Sequence, residues 1–240
     1  MTPSDKPLYV RTMFGRISRR YDLMNRLMTF GQDQNWRRFA AQQARAPANG
    51  RVLDLATGTG DLALAVLEMQ PSATVVGVDF ALPMMQVGQV KLNSQPARPI
   101  EFAGGDALQL PFHDNTFDAC LSAFMMRNVT DIGQSFREQR RVVRPGARVV
   151  CLEITQPATP LFRELFAIYF SQLVPAIGGL ISEGDAYTYL PASVRAFLTP
   201  PDLAEVMREA GLRDVVYYKL ALGTVTVHVG AKPIGARRID

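Results

Sequence analysis

A short segment with two glycines follows the first strongly apolar run of the chain, and its residue types suit the binding of a small ligand. Residues 51–56 are predicted as a strand, and residues 57–60 separate it from a helical pattern that begins at Asp61. Glycine adopts positive φ at little cost and lets a ligand approach the backbone. Ligands of open α/β sheets bind at the carboxyl ends of the strands. We therefore predict a nucleoside-binding turn formed by Asp54, Gly58, Thr59 and Gly60.

Acidic residues stand at the ends of the next two predicted strands. Asp79 closes the strand at residues 74–78, and Asp106 follows the strand at residues 100–103. A carboxylate placed like Asp79 can accept hydrogen bonds from both hydroxyls of a ribose. Asp106 and Ala107 begin a run that resembles the loop covering the adenine ring in S-adenosylmethionine-dependent methyltransferases. An ordinary turn is the alternative for Asp106, because Gly-Gly-Asp sequences readily form turns.

Two features of this region disfavour a dinucleotide as the ligand. A dinucleotide fold would have glycine at positions 56 and 63, but the chain has Ala56 and Ala63. Carboxylates at Asp54, Asp79 and Asp106 would repel a pyrophosphate, and they suit a ligand that carries a sulfonium cation and a ribose. We therefore expect S-adenosyl-L-methionine as the cofactor. A dinucleotide-dependent oxidoreductase is the weaker alternative.

The elements around these residues alternate between strands and helices from residue 51 to residue 154. Such alternation predicts parallel strands with crossover helices on both faces of the sheet. The last two strands have little chain between them, so they must be antiparallel. The predicted fold is α/β: a doubly wound, Rossmann-like sheet of seven mostly parallel strands with an antiparallel C-terminal hairpin, as in class I methyltransferases. The predicted strands are residues 51–56, 74–78, 100–103, 117–123, 148–154, 214–220 and 224–231, and the helices between them are 61–69, 82–92, 132–143 and 200–210.

The rest of the chain is expected to complete one methyltransferase domain. Residues 160–180 form an apolar insertion, which either serves a lipid tail or membrane surface or packs on the sheet as an ordinary helix. Residues 187–191 are predicted as a loop rich in tyrosine and proline. The predicted parts of the domain, residues 1–240, are a helical N-terminal cap (1–48, with helices at 9–21 and 33–46 joined by a segment around 25–31), a cofactor-binding core (49–155), and an acceptor-side insertion with the hairpin (156–232).

Composition limits the class of protein and its partners. Lys and Arg number 26 against 22 Asp and Glu, a formal net charge of +4. Clusters of arginine are ordinarily solvated helix faces, and an anionic membrane leaflet is the alternative partner. No basic motif interleaved with aromatic residues is present, so we expect no nucleic acid partner. Cys120 and Cys151 lie in apolar runs without metal-ligand spacing, which predicts buried reduced thiols, no metal and a cytoplasmic location.

Several further segments, in order along the chain, resemble the ubiquinone/menaquinone-biosynthesis C-methyltransferase family. The resemblance covers nearly the whole chain, and agreement over many segments is more specific than any single motif. It includes the predicted cofactor positions Asp54, Gly58, Thr59, Gly60, Asp79, Asp106 and Ala107. The other matching segments are Tyr21-Asp22-Leu23-Met24-Asn25 with Met28, Thr29, Gly31 and Trp36; residues 124–131; residues 141–146 with Glu153; Tyr189-Leu190-Pro191 with Ser193, Val194 and Phe197; and His228 with Gly230.

Four positions depart from the pattern of that family. Asp33 stands where the family usually has His, Met125 and Ala147 replace glycines, and Ala123 replaces a hydroxyl residue. These departures concern the acceptor more than the cofactor, so they leave open that the chain methylates a different ring.

The resemblance implies methyl transfer to a ring carbon beside a phenolic hydroxyl. A phenol ionises near pH 10, roughly, so the protein must favour the phenolate. Arg127 and Asn128, just past the fourth strand, are the candidate catalytic residues. Side chains expected on the acceptor side are Tyr21, Asn25, Tyr189 and His228.

The resemblance implies a polyprenylated quinol as the small-molecule acceptor, with demethylmenaquinol to menaquinol as the type reaction. It leaves open a peripheral contact with the inner face of the membrane and a homodimer. The alternatives are a methyltransferase of another phenolic or small-metabolite acceptor and a cofactor-binding partner without catalytic activity.

Overall fold

The computed structural model describes residues 6–93, 100–157, 159, 162, 164, 168, 169, 172 and 185–235, without the side chains of 185–188. Seven strands form one sheet in the order β3-β2-β1-β4-β5-β7-β6. The strands are β1 Arg51–Leu55, β2 Thr74–Asp79, β3 Ile100–Gly104, β4 Phe117–Ala123, β5 Val143–Ile154, β6 Arg213–Leu220 and β7 Val225–Ala231. The described helices, numbered in chain order, are α1 Lys6–Ile17, α2 Tyr21–Thr29, α3 Gln32–Ala44, α4 Asp61–Met69, α5 Leu82–Asn93, α6 Ile132–Val142, α7 Asp185–Arg195 and α8 Pro200–Glu209, with 3₁₀ turns at Ser18–Arg20 and Ala221–Gly223.

The predicted fold class is confirmed. Strands β1 to β5 pair in parallel, and β7 pairs antiparallel with both β5 and β6. The chain runs outward from β1 through β2 to β3 and then returns to place β4 on the other side of β1. The strand order therefore reverses between β1 and β4, where ligands of such sheets bind.

Both faces of the sheet are covered, which explains why its central strands are almost entirely apolar. On one face, Val52 of β1 packs with Leu62 and Val66 of α4 and with small residues of α3. On the other face, Leu53 packs with Phe136 of α6 and with residues of α8. The two cysteines, Cys120 and Cys151, are buried and free, and burial raises the pKa of both thiols.

The N-terminal cap contains one more helix than the sequence predicts. The segment around residues 25–31, expected to join two helices, is mostly the helix α2. This helix ends where Phe30 adopts a left-handed conformation and the N–H of Gly31, with φ of 75°, donates to the Arg26 carbonyl at 2.8 Å. The expectation was wrong although residues of this segment recur at helical spacing, because nine residues are too few to form a stable helix without packing against neighbours.

Two other expectations concern the region after β5. The predicted loop at 187–191 lies inside α7, which contains Pro191 in its interior. Proline usually interrupts helices, and here the helix continues to Arg195.

The insertion at 160–180 lies almost entirely outside the described residues. Among the described helices, none has the length and apolarity to span a membrane.

Candidate active site

The turn after β1 is joined to the end of β2 by hydrogen bonds to Asp79. The N–H of Gly58 donates to Oδ2 of Asp79 at 2.8 Å, and the N–H of Ala81 donates to Oδ1 at 2.8 Å. Gly58 has φ of 57° and Gly60 has φ of 83°, conformations that favour glycine. Each oxygen of Asp79 accepts one of these bonds and keeps a second lone pair, so the carboxylate can still accept from ligand hydroxyls.

Asp54 places a buried carboxylate with an unused oxygen beside this turn. Its Oδ2 accepts a hydrogen bond from the Thr57 hydroxyl at 2.7 Å, while Oδ1 has no partner among the described residues. Burial raises the pKa of Asp54 to about 7, against the lowering effect of the Thr57 hydrogen bond. A cationic ligand would stabilise the ionised form. The carboxylates of Asp54 and Asp79 are acceptors and therefore fit S-adenosylmethionine, which carries a sulfonium, an ammonium and two ribose hydroxyls.

Asp106 begins the loop after β3 and is exposed. Its Oδ1 accepts the N–H of Leu108 at 2.9 Å, and its backbone pairs with Gln109. The turn expected as the alternative for Asp106 is therefore present, and it leaves the side chain at the surface. The partly buried Ala107 follows it.

Arg141 of α6 holds the rest of this loop. Its guanidinium donates to the carbonyl oxygens of Leu110 at 3.0 Å and Phe112 at 2.7 Å. It also donates to Asp114 and Glu138, with bonds of 2.7 to 2.8 Å. Arg141 therefore fixes the loop between β3 and β4 that resembles the adenine-covering loop.

A cavity of about 350 Å³ lies over the carboxyl ends of β4 and β5, one strand away from the glycine turn. Its wall is mostly apolar and comes from the cap, the ends of the two strands, α7 and the turn before β7. The apolar lining includes Met13, Phe14, Ile17, Met24, Met28, Phe30, Trp36, Phe124, Ile154, Leu190 and Val225, and the polar lining includes Tyr21, Asn25, Thr29, Gln32, Asp33, Arg127, Tyr169, Tyr189 and Thr224.

Arg127 is the cation among the described residues that line this cavity. Its Nη1 donates to Oε1 of Glu153 at 2.6 Å and to the Phe124 carbonyl at 2.7 Å, and both charged side chains are buried, with 7% and 0% exposed. The Nε–H of Arg127 has no partner among the described residues, and neither has Nδ2 of Asn25. A buried donor without a partner costs free energy, so both atoms suit the binding of an oxygen in the cavity.

Asp33 of α3 contributes a carboxylate to the lining of the same cavity. Its Oδ2 accepts from Nη1 of Arg37 at 3.0 Å, and both side chains are buried. The Thr29 hydroxyl lies 3.0 Å from Oδ1 of Asp33 and 2.7 Å from the carbonyl oxygen of Asn25. This hydroxyl has only one hydrogen to donate. When it donates to Asn25, Oδ1 of Asp33 can accept a hydrogen bond from a ligand.

Three of the four residues expected on the acceptor side line the cavity: Tyr21, Asn25 and Tyr189. Burial raises the pKa of the Tyr21 phenol although Arg37 and Arg127 lie near enough to lower it, and burial also raises that of Tyr189. These two hydroxyls are therefore neutral at physiological pH.

His228 does not lie on the acceptor side, contrary to the expectation. It is fully buried in β7, its ring stacks on Tyr217, and its Nε2 lies 2.9 Å from the carbonyl oxygen of Pro200. Burial lowers the pKa of His228 to about 4. Both faces of β7 are covered, so its alternating pattern did not show which side chains face the cavity.

Asn128 also lies outside the lining of the cavity, although it was expected beside Arg127 as a catalytic residue. Its Nδ2 donates to the Phe124 carbonyl at 3.2 Å, and its Oδ1 accepts from the Tyr189 hydroxyl at 3.1 Å. Asn128 thus makes a hydrogen bond within the protein at each end of its amide and orients Tyr189, and it is not among the described residues that line the cavity.

The sequence interpretation missed Thr29, Trp36 and Phe124 as lining residues. Thr29 and its neighbours could have been found from the spacing of Tyr21, Met24, Asn25 and Met28, which is the i, i+3, i+4, i+7 pattern of one helix face. Among the departures from the family, Met125 is buried in the sheet core and Asp33 lines the cavity.

The strand order, the glycine turn and the acidic strand ends together define a class I methyltransferase, an enzyme that takes its methyl group from S-adenosylmethionine. A solved S-adenosylmethionine-dependent methyltransferase from Aquifex aeolicus has the same fold, with a TM-score of 0.59 and 16% identity over 80% of this chain and 86% of that one. Residues 2–232 match the ubiE/COQ5 methyltransferase family, and the chain belongs to that family.

Two relatives show how closely the chain follows the family. It is 46% identical over 231 residues to the demethylmenaquinone methyltransferase of Roseiflexus castenholzii, covering 96% of each chain. It is 40% identical over 231 residues to the ubiquinone/menaquinone biosynthesis C-methyltransferase UbiE of Geotalea uraniireducens, covering 95% of this chain and 98% of that one.

Proposed function

We propose that this chain methylates a ring carbon of a quinol precursor, with demethylmenaquinol as the type acceptor. The observation that carries the proposal is the cavity near the glycine turn. Its wall is mostly apolar, which suits an aromatic ring, and its polar lining includes Arg127, Asn25 and Asp33. The names of the two relatives support the same class of acceptor.

Bound S-adenosylmethionine supplies an electrophilic methyl group. The protein's task is to make the acceptor carbon nucleophilic, and ionising the adjacent phenolic hydroxyl achieves this. An unperturbed phenol has a pKa of about 10, so the cavity must accept the proton and stabilise the phenolate. The apolar wall excludes water, which strengthens these polar interactions.

Asp33 is the proposed proton acceptor. Its Oδ1 is available when the Thr29 hydroxyl donates to the Asn25 carbonyl, and its other oxygen is held by Arg37. The proton of the acceptor hydroxyl passes to Asp33, the ring carbon takes the methyl group as the methyl–sulfur bond breaks and S-adenosylhomocysteine is left, and the same carbon then loses its hydrogen as a proton. The ring oxygen recovers its proton, so the net reaction releases one proton and restores the aromatic ring.

Arg127 and Asn25 are the proposed donors to the acceptor oxygens. Each has a buried N–H without a partner among the described residues. Their donors need no reorganisation during the reaction, because the Arg127–Glu153 pair and the cap already hold them. A phenolate benefits more from these donors than the neutral phenol does.

Substitution of Asp33 tests this assignment. Asp33→Asn should lower kcat for a demethylated naphthoquinol by about a hundredfold, the scale of losing a general base. Asp33→Glu is the matched control, because it keeps the carboxylate and should recover part of the activity. If Asp33→Asn remains folded by its Tm and keeps wild-type kcat, another group takes the proton.

The cavity mouth also supports a peripheral contact with a membrane, which we include in the proposal. Phe30 lines the cavity and is 81% exposed, and two apolar residues of the preceding helix, Leu23 and Leu27, are exposed as well. An acceptor with a lipid tail could enter from a bilayer at this point. Phe30→Ser should reduce binding to vesicles that contain anionic lipid, and equal binding of wild type and variant would contradict the contact.

A further inference from the structure

Helix α2 contacts both the acceptor cavity and the glycine turn after β1. Tyr21, Met24 and Asn25 line the acceptor cavity, while Asp22, on another side of the same helix, reaches the glycine turn. One oxygen of Asp22 accepts a hydrogen bond from the Thr59 hydroxyl, and the other lies 2.9 Å from Nζ of Lys91. The position of α2 relative to the turn therefore sets the position of three cavity residues.

Lys91 extends this contact to the helix that follows the turn. Its Nζ lies 2.5 Å from Oδ1 of Asp61, the first residue of α4. Burial by itself would raise the pKa of Asp61, but the Lys91 ammonium holds that pKa below its ordinary value. Asp61 is therefore ionised and attracts Lys91. We call the group of Asp22, Thr59, Asp61 and Lys91 the latch.

The latch is attached to rigid elements on both sides. Lys91 belongs to α5, which packs so closely on the turn that a Cβ at Gly88 would lie 3.1 Å from the backbone of Thr59. The other end of α5 meets the cap, where a Cβ at Gly15 would lie 3.5 Å from Pro83. Since α5 follows Asp79, the latch joins the cap to the elements that frame the cofactor turn.

The side chains of the latch are partly shielded from water. Asp22 is 24% exposed, Lys91 22% and Asp61 9%. Ion pairs at this depth are screened less than fully exposed pairs. One oxygen of Asp61 is buried without a partner among the described residues. Replacing Lys91 would therefore remove an interaction that offsets the cost of burying the Asp61 charge.

We propose that Asp22 and Lys91 are positioning residues, which latch α2 over the cofactor turn so that the cofactor exchanges only when the latch opens. Neither residue is needed for the chemistry of methyl transfer. The proposal rests on the family's cofactor and does not depend on the identity of the acceptor. Its test therefore uses S-adenosylhomocysteine alone, the demethylated form of the cofactor.

The measurement is the dissociation rate of S-adenosylhomocysteine from the full chain by stopped-flow displacement. Lys91→Met keeps the length of the side chain and removes its charge, so dissociation should become about tenfold faster, the scale of losing a charge-assisted hydrogen bond at a partly buried site. Lys91→Arg keeps the charge and should stay within about threefold of wild type. Hydrogen exchange of the α2 amides should rise in Lys91→Met and not in Lys91→Arg.

Arg38→Met is the matched control. It removes the Arg38–Glu68 ion pair of 2.8 Å, which joins α3 to α4 away from the turn, and it should leave the dissociation rate unchanged. If Lys91→Met is unstable, Asp22→Asn replaces it, because asparagine can still accept from Thr59 but loses the ion pair. Unchanged dissociation in the folded variants, or equal acceleration by Lys91→Met and Lys91→Arg, would overturn the proposal. Failure of the wild type to bind S-adenosylhomocysteine would instead contradict the assignment of the cofactor.

Discussion

Replacing Asp54 with asparagine should stabilise the cofactor-free protein at high pH, although the residue lies in the proposed cofactor site. The side chain is 1% exposed, its Oδ1 has no partner among the described residues, and burial raises its pKa from 3.8 to about 7. Asparagine has nearly the same shape and can keep the hydrogen bond from Thr57. It removes the charge that is costly to bury.

The direction in which stability changes with pH follows from proton binding. The folded protein holds the Asp54 proton more tightly than the unfolded chain, so stability falls as the pH rises from about 4 to about 7. Three pH units, roughly, separate the folded and unfolded pKa values, which corresponds to about 4 kcal/mol at most. Above about pH 7 the ionised carboxylate imposes this whole cost on the folded state.

Urea denaturation of wild type and Asp54→Asn between about pH 5 and about pH 8 measures the effect. The stability advantage of Asp54→Asn should grow by about 2 kcal/mol or more across this range. Its affinity for S-adenosylhomocysteine should fall, because the unused oxygen no longer carries charge. A stability difference that does not change with pH would show that Asp54 keeps an ordinary pKa, and the reasoning would fail.

Three other predictions concern the acceptor cavity, the turn and the core. Arg127→Lys should keep the pair with Glu153 but lose the Nε–H, so kcat should fall at least about tenfold with little change in the acceptor KM; wild-type kcat would mean that Arg127 is only structural. Gly58→Val should abolish S-adenosylhomocysteine binding in calorimetry, since φ is 57° and a Cβ would lie 3.3 Å from Met84; normal binding would place the cofactor elsewhere. His228→Gln should flatten the loss of stability between about pH 6.5 and about pH 4, where the unfolded wild type binds a proton that the buried imidazole, with a pKa of about 4, does not bind, a cost of about 3 kcal/mol; an unchanged slope would contradict that pKa.

The sheet could be predicted from sequence because its central strands are mostly apolar and strand patterns alternate with helical ones along the chain. The main difference is β5, which begins at Val143 where residue 148 was expected. Its pairing with β4 shifts between Phe117 and Ala119, so the strand passes through an irregularity that contains Pro145 and Gly146. Such a bulge depends on the partner strand and has no reliable signal in one sequence.

The glycine turn after β1 was predictable because it is local, but the cavity is assembled from distant segments. Arg127 meets Glu153, which is 26 residues further along the chain, and Tyr189 meets Asn128 across 61 residues. Sequence spacing does not reveal such pairings. It therefore could not distinguish Arg127, which faces the cavity, from Asn128, which supports Tyr189.

The most direct test of the proposed function is the position of the transferred methyl group. The full chain would be incubated with a demethylated naphthoquinol, kept reduced, and S-adenosylmethionine with an isotopically labelled methyl group, and the product would be analysed by NMR and mass spectrometry. The proposed mechanism predicts the label on the ring carbon beside a hydroxyl, with that carbon's hydrogen lost and both hydroxyls free. Label on a ring oxygen, or no transfer by a protein that binds the cofactor, would contradict it.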